Sequence, residues 1–291
     1  MKTKKKFKVI AGTAICMTLL IAACKKTTGP SYVQPGPSPS TAVTGVKLAA
    51  NAKFGNVLTD NNGRSLYFFS NDAAATSNCN GGCTVSWPVF YKENPALGTG
   101  LLASDFAVIT RGDGSKQNTY KGWPLYYFSA DTKAGDTNGD GIDSLWVIAK
   151  PDYAVMISHA QLVGLDTVNY NSQSVAGAEV SQYITDAYGR TLYTFKLDSA
   201  GKNKFTKADF SNNTVWPIDT LTYVVSAVPS ILDKTQLSTI DVFGRTQLAY
   251  KGHPMYYFGQ DNATRGNTKG VSFPTPGAAI WKVLNTKTAK L

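Results

Sequence analysis

The chain has 291 residues, of which 43% are hydrophobic and 16% are charged, and its formal net charge is +10. Five positive charges belong to lysines at the extreme N-terminus, so the remainder of the chain carries about half of the total, 10 − 5 = +5. These lysines are Lys2, Lys4, Lys5, Lys6 and Lys8. So mild an excess excludes the strongly basic surface of a nucleic-acid-binding protein, and we expect no nucleic-acid partner.

The N-terminus has the pattern of a targeting segment. Residues 9–20 form an apolar run of signal-peptide length, which is too short to span a membrane comfortably. Ile21-Ala22-Ala23-Cys24 then resembles the lipobox of bacterial lipoproteins, in which the signal is cleaved before the cysteine and the cysteine is acylated. We predict a signal peptide over residues 1–23 and lipidation, including palmitate, at Cys24. The alternatives are an ordinary secretory signal and an uncleaved anchor.

The lipobox also predicts a location. A lipidated cysteine would hold the protein on the membrane in the bacterial cell envelope, outside the cytoplasm. Lys25 follows the cysteine where an Asp could stand, and a lysine is consistent with sorting to the outer membrane.

Residues 24–45 are rich in proline, serine, threonine and glycine. Such a segment cannot bury enough apolar surface to fold, and its prolines keep it extended. We predict a tether that holds the folded part some tens of ångströms from the lipid, at roughly 3 Å per residue.

A short aromatic motif, Tyr-x-Phe-x-x-Asp, occurs four times in the rest of the chain. The copies are Tyr67-x-Phe69-x-x-Asp72, Tyr126-x-Phe128-x-x-Asp131, Tyr193-x-Phe195-x-x-Asp198 and Tyr256-x-Phe258-x-x-Asp261. Rings two residues apart point to one face of a strand, and an Asp just beyond it can accept backbone N–H groups in a turn. The motif therefore predicts a repeated structural strand, with ligand contact as the weaker alternative.

The repeats fall into two homologous halves. Thr59-Asp60-x-x-Gly63-Arg64 is matched by Thr185-Asp186-x-x-Gly189-Arg190, and Trp87-Pro88 is matched by Trp216-Pro217. We predict a first domain over residues 46–153, a linker over residues 154–176 and a second domain over residues 177–287, with two repeats in each domain.

Short runs broken by turn signals favour an all-β fold of short antiparallel strands. Asp-x-x-Gly-Arg and Lys-Gly-[Trp/His]-Pro both indicate hairpin turns. A single four-bladed propeller is the alternative architecture. Residues 158–165 and 227–237 could form short helices or turns.

Two cysteines remain after the N-terminal segment, Cys79 and Cys83, in Cys-Asn-Gly-Gly-Cys. An even pair in an exported protein predicts a disulfide, and the glycines allow the tight loop that it needs. In the chain-entropy model so short a loop contributes roughly 2 kcal/mol. A redox dithiol or a haem attachment site would need Cys-x-x-Cys, and too few other ligands are present for zinc.

An acidic stretch after the second motif resembles the first half of an EF-hand calcium loop. The candidate ligands are Asp136, Asn138, Asp140, Ile142 through its carbonyl, and Asp143, with Asp131 as a further oxygen donor. Val147 stands where the bidentate Glu of an EF-hand is expected, and the second half offers no such acids. We therefore weigh a single Ca²⁺ site against a solvated acidic loop.

Other candidate functional residues are weaker. Arg111-Gly112-Asp113 spells an adhesion tripeptide, but its position inside the repeat favours a hairpin turn. His253 occupies the place of Trp123, which favours packing, and His159 is isolated. No serine or cysteine lies near a recognisable base in the sequence, so no catalytic residue is predicted.

The fourfold motif behind a lipobox resembles a family of bacterial lipoproteins described as the secreted repeat of unknown function. In the first half the resemblance extends to these residues: Gly63-Arg64, Cys79, Gly81 or Gly82, Cys83, Trp87-Pro88, Asp113-Gly114, Gln117, Tyr120, Gly122 and Pro124. The second half lacks both cysteines, which implies that the disulfide is dispensable to the fold. The resemblance implies no activity.

We expect a binding or scaffolding role in the envelope, with membrane contact through the lipid and an envelope protein or a glycan as the partner. The competing hypothesis is an envelope enzyme, or an accessory to extracytoplasmic redox chemistry. That class would need a cofactor or a pocket with converging polar groups.

Overall fold

The computed structural model describes residues 45–220 and 227–291. The predicted signal peptide, the predicted lipidation site Cys24 and all of the predicted tether except residue 45 lie outside the described residues. The described residues cluster into one compact unit. In the part of the chain that the structure describes, no helix has the length and apolar character needed to cross a membrane.

The first half contains eight short strands and one short helix. The strands are β1 (Gly45–Asn51), β2 (Gly55–Asp60), β3 (Tyr67–Phe69), β4 (Ala96–Leu97), β5 (Phe106–Thr110), β6 (Lys116–Tyr120), β7 (Trp123–Pro124) and β8 (Trp146–Ile148), and the helix is α1 (Cys83–Ser86). β1 lies between β2, to which it is antiparallel, and β4, to which it is parallel. β3 pairs with β8, and β6 lies between β5 and β7, all antiparallel.

The described residues of the second half contain eight further strands, and most of their pairings repeat those of the first half. They are β9 (Val155–Val163), β10 (Asn169–Tyr170), β11 (Val180–Asp186), β12 (Tyr193–Phe195), β13 (Leu237–Val242), β14 (Arg245–Tyr250), β15 (His253–Pro254) and β16 (Trp281–Val283). β9 pairs with β10 and β11, β12 pairs with β16, and β14 lies between β13 and β15. Short 3-10 helices connect strands in both halves: Ala103–Asp105, Ile142–Ser144, Lys234–Gln236, Gly259–Asp261 and Lys269–Ser272.

The strand pairings confirm an all-β fold of two homologous halves. The hairpin β1–β2 corresponds to β9–β11, the pair β3–β8 corresponds to β12–β16, and β5-β6-β7 corresponds to β13-β14-β15. Within each half a β-bridge joins the two motif tyrosines, Tyr67 to Tyr126 and Tyr193 to Tyr256. The repeats are thus paired around a shared core, which corrects the alternative of four equivalent propeller blades.

The predicted linker, residues 154–176, belongs to the folded second half. It contains β9, which pairs with β11 over its first seven residues, from Val155 opposite Asp186 to Gln161 opposite Val180. The same register joins Val46 of β1 to Asp60 of β2. The second half therefore begins with β9 and not at residue 177.

The two segments expected as helices or turns differ from each other. Most of residues 158–165 lies in β9, whose first four residues are all buried and so lack the alternation that marks a one-sided strand. Residues 227–237 are mostly irregular, with a turn at residues 230–231 and the 3-10 helix Lys234–Gln236.

Both predicted hairpin turns are present. One carboxylate oxygen of Asp60 accepts the backbone N–H groups of Asn62 and Arg64, each at 2.9 Å, and Asp186 holds its own turn in the same way. Lys121 and Gly122 both have positive φ between β6 and β7, at 48° and 79°, as a two-residue hairpin requires.

The motif strand packs on both faces. Tyr67 and Phe69 lie in one apolar cluster with Trp87 and Trp146, as the alternation predicts. Phe68 points into a second cluster on the opposite face. Because both faces are buried, the short strand is held by side-chain packing as well as by its pairing with β8 and its bridge to Tyr126.

The two halves meet at the hairpin between β6 and β7. Trp123 is fully buried, and its indole N–H donates to the carbonyl oxygen of Ala187 at 3.0 Å. The guanidinium of Arg265, from the second half, lies 4.3 Å from the Trp123 ring centroid. Arg265 also donates to the carbonyl oxygens of Ala73 and Asp72, at 3.0 and 3.2 Å. One cation therefore joins the two halves.

Candidate functional site

The tyrosines and aspartates of the motif are exchanged between the two repeats of each half. Tyr67 donates to Asp131 at 2.6 Å, and Tyr126 donates to Asp72 at 2.7 Å. In the second half, Tyr193 donates to Asp261 at 2.6 Å and Tyr256 donates to Asp198 at 2.8 Å. Each repeat therefore supplies the hydroxyl for its neighbour's carboxylate.

The second oxygen of each aspartate accepts a backbone N–H from the segment that follows the motif. The donors are Asn78 to Asp72 at 2.7 Å, Asn138 to Asp131 at 3.0 Å, Lys204 to Asp198 at 2.7 Å and Lys269 to Asp261 at 3.0 Å. Each aspartate thus closes its own turn and binds the other repeat at the same time.

Burial leaves these residues little access to a ligand. The four motif tyrosines are 0% exposed, and the four aspartates are at most 7% exposed. Behind them, Trp87 stacks on Trp146 with centroids 3.7 Å apart, and Trp216 stacks on Trp281 at 3.6 Å. The geometry supports a structural role for the motif, because the side chains satisfy one another in the core.

Burial perturbs the protonation of three motif aspartates. Desolvation raises the pKa of Asp72 to about 7, and it raises the pKa values of Asp198 and Asp261 to about 6. Hydrogen bonds from Tyr126, Tyr256 and Tyr193, respectively, act in the opposite direction. At neutral pH the core thus contains carboxyl groups close to their titration range.

We expect these aspartates to make the protein more stable as the pH falls from 8 towards 5. The folded protein holds the Asp72 proton up to a higher pH than the unfolded chain, whose reference pKa is 3.8. The stabilisation is complete below the unfolded pKa and is lost as the pH rises through about 7. Each such group changes the free energy of unfolding by at most about 1.4 kcal/mol per pH unit. Urea unfolding at several pH values measures this slope.

The matched variant is Asp72→Asn, which has a similar shape and does not titrate. Burial lowers the pKa values of His159 and His253, and these residues act in the opposite sense, because their contribution is lost as the pH falls. The decisive quantity is therefore the difference between wild type and variant. An identical pH dependence in the two proteins would contradict the assignment to Asp72.

Arg111 lies in the predicted hairpin turn, but its contact with the disulfide loop was not predicted from the sequence. It lies 4% exposed at the end of β5, and it donates to Gln117 at 2.6 Å and to the carbonyl oxygen of Cys79 at 2.6 Å. Cys79 and Cys83 are joined, with their Cα atoms 5.3 Å apart. Arg111-Gly112-Asp113 is thus a hairpin turn whose arginine holds the disulfide loop from inside.

The second half replaces this arrangement with an amide. Asn203 donates to Gln247, the counterpart of Gln117, at 2.8 Å, and Asp241 stands at the position corresponding to Arg111. The joint absence of both cysteines and the arginine from one half was the signal that could have connected Arg111 to the disulfide loop.

Two of the predicted calcium ligands, Asp136 and Asp140, accept backbone N–H groups of nearby residues. Asp136 accepts the backbone N–H groups of Thr132 and Lys133, each at 2.9 Å, and Asp140 accepts that of Ile148 at 3.0 Å. Among the described residues, no group of three or more His, Cys, Asp or Glu side chains could hold a metal ion. These carboxylates accept backbone N–H groups around their own loop, and Ca²⁺ binding there stays a prediction.

The histidines also have local partners. Nδ1 of His159 lies 2.8 Å from the side-chain oxygen of Asn71, and Nε2 of His253 lies 2.9 Å from the carbonyl oxygen of Ala289. His253 does stand where Trp123 stands in the first half, at the hairpin after β14. These contacts provide no nucleophile and base pair.

An open cavity of about 460 Å³ lies beside β12 and β16. Its lining includes Phe195 and Thr194 of the motif strand and Lys282 of β16. Further basic residues line the cavity, namely Lys196, His253, Lys287 and Lys290. A concave surface with aromatic and polar groups together is the kind of place where a protein binds a small ligand.

The fold and these contacts define an all-β protein of two equivalent halves, each locked by exchanged Tyr–Asp hydrogen bonds. Residues 48–91 and 107–150 each match the family model described as the secreted repeat of unknown function. The first half is therefore made of two copies of this repeat, which confirms the resemblance seen in the sequence and indicates an extracytoplasmic protein. No curated protein and no solved structure gave a significant match.

Proposed function

We propose that the protein is a lipid-anchored component of the bacterial cell envelope, attached through Cys24, whose folded part binds an envelope partner. The lipobox at residues 21–24 and the extracytoplasmic repeat support the anchor. The outer membrane is the proposed location, with Lys25 following the lipidated cysteine.

The exchange of buried Tyr–Asp pairs is the observation that carries the binding or scaffolding role. The buried Tyr and Asp side chains of the motif already bind one another. A partner would therefore contact other residues, on the exposed surface. A rigid β core displaying a surface suits a binding protein, because a preorganised surface loses little conformational entropy on association.

Replacing Cys24 with serine tests the anchor. We expect Cys24→Ser to abolish both incorporation of a palmitate analogue and cleavage of the signal, because the lipobox cysteine is the acylated residue and marks the cleavage site. Cys16→Ser, inside the predicted signal, is the matched control and should leave both unchanged. Retention of wild-type lipid labelling by Cys24→Ser would refute the proposed lipidation site.

In-cell cross-linking of the intact protein tests the binding role. We expect a reproducible envelope protein or glycan to be recovered with the wild type and lost when the folded repeats are disrupted. Recovery of the protein alone, while a known envelope complex is captured in the same sample, would count against this role.

A further inference from the structure

The side chains that line the cavity beside β12 and β16 carry a net positive charge. Four lysines line it, Lys196, Lys282, Lys287 and Lys290, and no Asp or Glu side chain does. The ion pairs found within residues 45–220 and 227–291 involve none of these lysines. The ionisable side chains of the lining are these four lysines and His253. Such clustering attracts an anionic ligand.

The walls of the cavity suit a ligand that is more than a simple ion. Phe195 is half-buried, so part of its aromatic ring is accessible. The ring packs on Trp281, with the two ring centroids 4.6 Å apart. Thr194 and Gln173 add hydrogen-bonding groups, and the side-chain oxygen of Gln173 already accepts from Lys282 at 3.0 Å. Sugars combine hydroxyl groups with apolar ring faces, and this mixture of groups can contact both.

The positive charge is specific to the second half. Strand pairing places Ile148 opposite Tyr67 and Val283 opposite Tyr193, so Lys282 corresponds to Val147. Lys196 follows Phe195 as Ser70 follows Phe69, so a neutral residue stands there too. The repeat architecture does not itself require these lysines, because the first half is built without them.

From these observations we propose that this cavity binds an anionic glycan, with the lysines contacting its carboxylate or phosphate groups and Phe195 contacting a sugar ring. The proposal rests on the binding role proposed above and names the ligand class and the site. A cavity is better suited to a projecting sugar unit than to a flat lipid surface, and the modest net charge of the chain outside its first residues, +5 as derived above, argues against nucleic acid.

Titration of the intact lipidated protein in a non-ionic detergent tests the proposal. The probes are a short oligogalacturonate, which carries carboxylates, a phosphorylated oligosaccharide, and a neutral maltooligosaccharide of the same length. The variant is the double substitution Lys196→Gln and Lys287→Gln, chosen because both side chains are exposed and removable without opening the core. Lys92→Gln with Lys116→Gln removes the same charge from exposed sites outside the cavity and is the matched control.

We expect one or both anionic oligosaccharides to bind, about tenfold more weakly in the cavity variant and unchanged in the control variant. Binding should also weaken with salt, and the neutral sugar should not bind. Equal weakening in both variants, or equal binding of the neutral sugar, would overturn the proposal. Binding only to mixed micelles containing phosphatidylglycerol would overturn it in favour of a membrane surface.

Cross-linking with the cavity variant separates loss of this cavity as the binding site from loss of the proposed binding role. A protein that captures an envelope partner in cells, with the same yield in the Lys196→Gln and Lys287→Gln variant, would retain its binding role and lose this cavity as the site.

Discussion

Replacement of Trp216 by alanine is expected to lower the free energy of unfolding by about 3–5 kcal/mol. Trp216 is 1% exposed, stacks on Trp281 with centroids 3.6 Å apart and meets the edge of Tyr193 at 5.4 Å. Its removal would leave a cavity beside the Tyr193–Asp261 pair, where the surrounding strands have few ways to collapse. A loss of this size is a large part of the stability of an ordinary domain. Urea unfolding followed by far-ultraviolet circular dichroism measures it.

Two further variants test this prediction even if the alanine variant fails to fold. Trp216→Phe retains an aromatic ring and should lose less stability than the alanine variant. Val215→Ala changes the neighbouring residue, which is 38% exposed, and should stay within about 0.5 kcal/mol of wild type. A loss below about 1 kcal/mol for Trp216→Ala would mean that the stacked tryptophans do not support the core.

Replacement of Arg265 by alanine is expected to cost about 2–4 kcal/mol and to weaken the contact between the halves. The substitution leaves the carbonyl oxygens of Asp72 and Ala73 without their charged donor and removes the cation from the face of Trp123. Burial lowers the pKa of Arg265 to about 10, so the charge is itself costly to bury and the net loss is smaller than the sum of its contacts. Thermal unfolding by calorimetry measures the loss and shows whether the transition divides.

The matched control is Arg245→Ala, which removes an exposed arginine lying 3.9 Å from the Phe210 ring centroid within the second half. We expect it to cost less than about 1 kcal/mol. Arg265→Lys keeps the charge without the planar fork of donors and should be intermediate. If Arg265→Ala and Arg245→Ala lose equal stability, the contacts of Arg265 with the first half contribute no more than those of an exposed arginine.

The exchanged Tyr–Asp bonds explain why the motif occurs in pairs. A single repeat would leave its tyrosine hydroxyl without the partner carboxylate and its aspartate without the partner hydroxyl, both buried. An unsatisfied buried polar group costs about 1–3 kcal/mol, so two repeats are the smallest unit that satisfies both. Each half is therefore one folding element made of two sequence repeats.

The asymmetries between the halves show what the repeat tolerates. The first half holds its loop with Arg111 and a disulfide, whereas the second half uses Asn203. Ala134 contacts Gly63 in the first half where Arg265 contacts Gly189 in the second. These positions lie around the shared core, so they can change without disturbing the Tyr–Asp exchange.

Local residue chemistry was sufficient for much of the fold. Rings two residues apart, Asp-x-x-Gly-Arg and Lys-Gly-[Trp/His]-Pro determined the motif strands and their turns, because each depends on neighbouring φ and ψ angles and on a period of two. Repetition of these signals identified the two halves, and the Cys79–Cys83 spacing indicated a loop that could close. Such features need only a few consecutive residues.

Only the tertiary structure decided which residues meet across the chain. Tyr67 reaches Asp131 and not the Asp72 of its own motif, and β9 joins β11 although its buried residues show no simple period. The bridging role of Arg265 and the convergence of lysines beside Phe195 were likewise absent from any local pattern. These contacts depend on how each half packs around its tryptophans. Such long-range packing is not encoded in the spacing of residues along the chain.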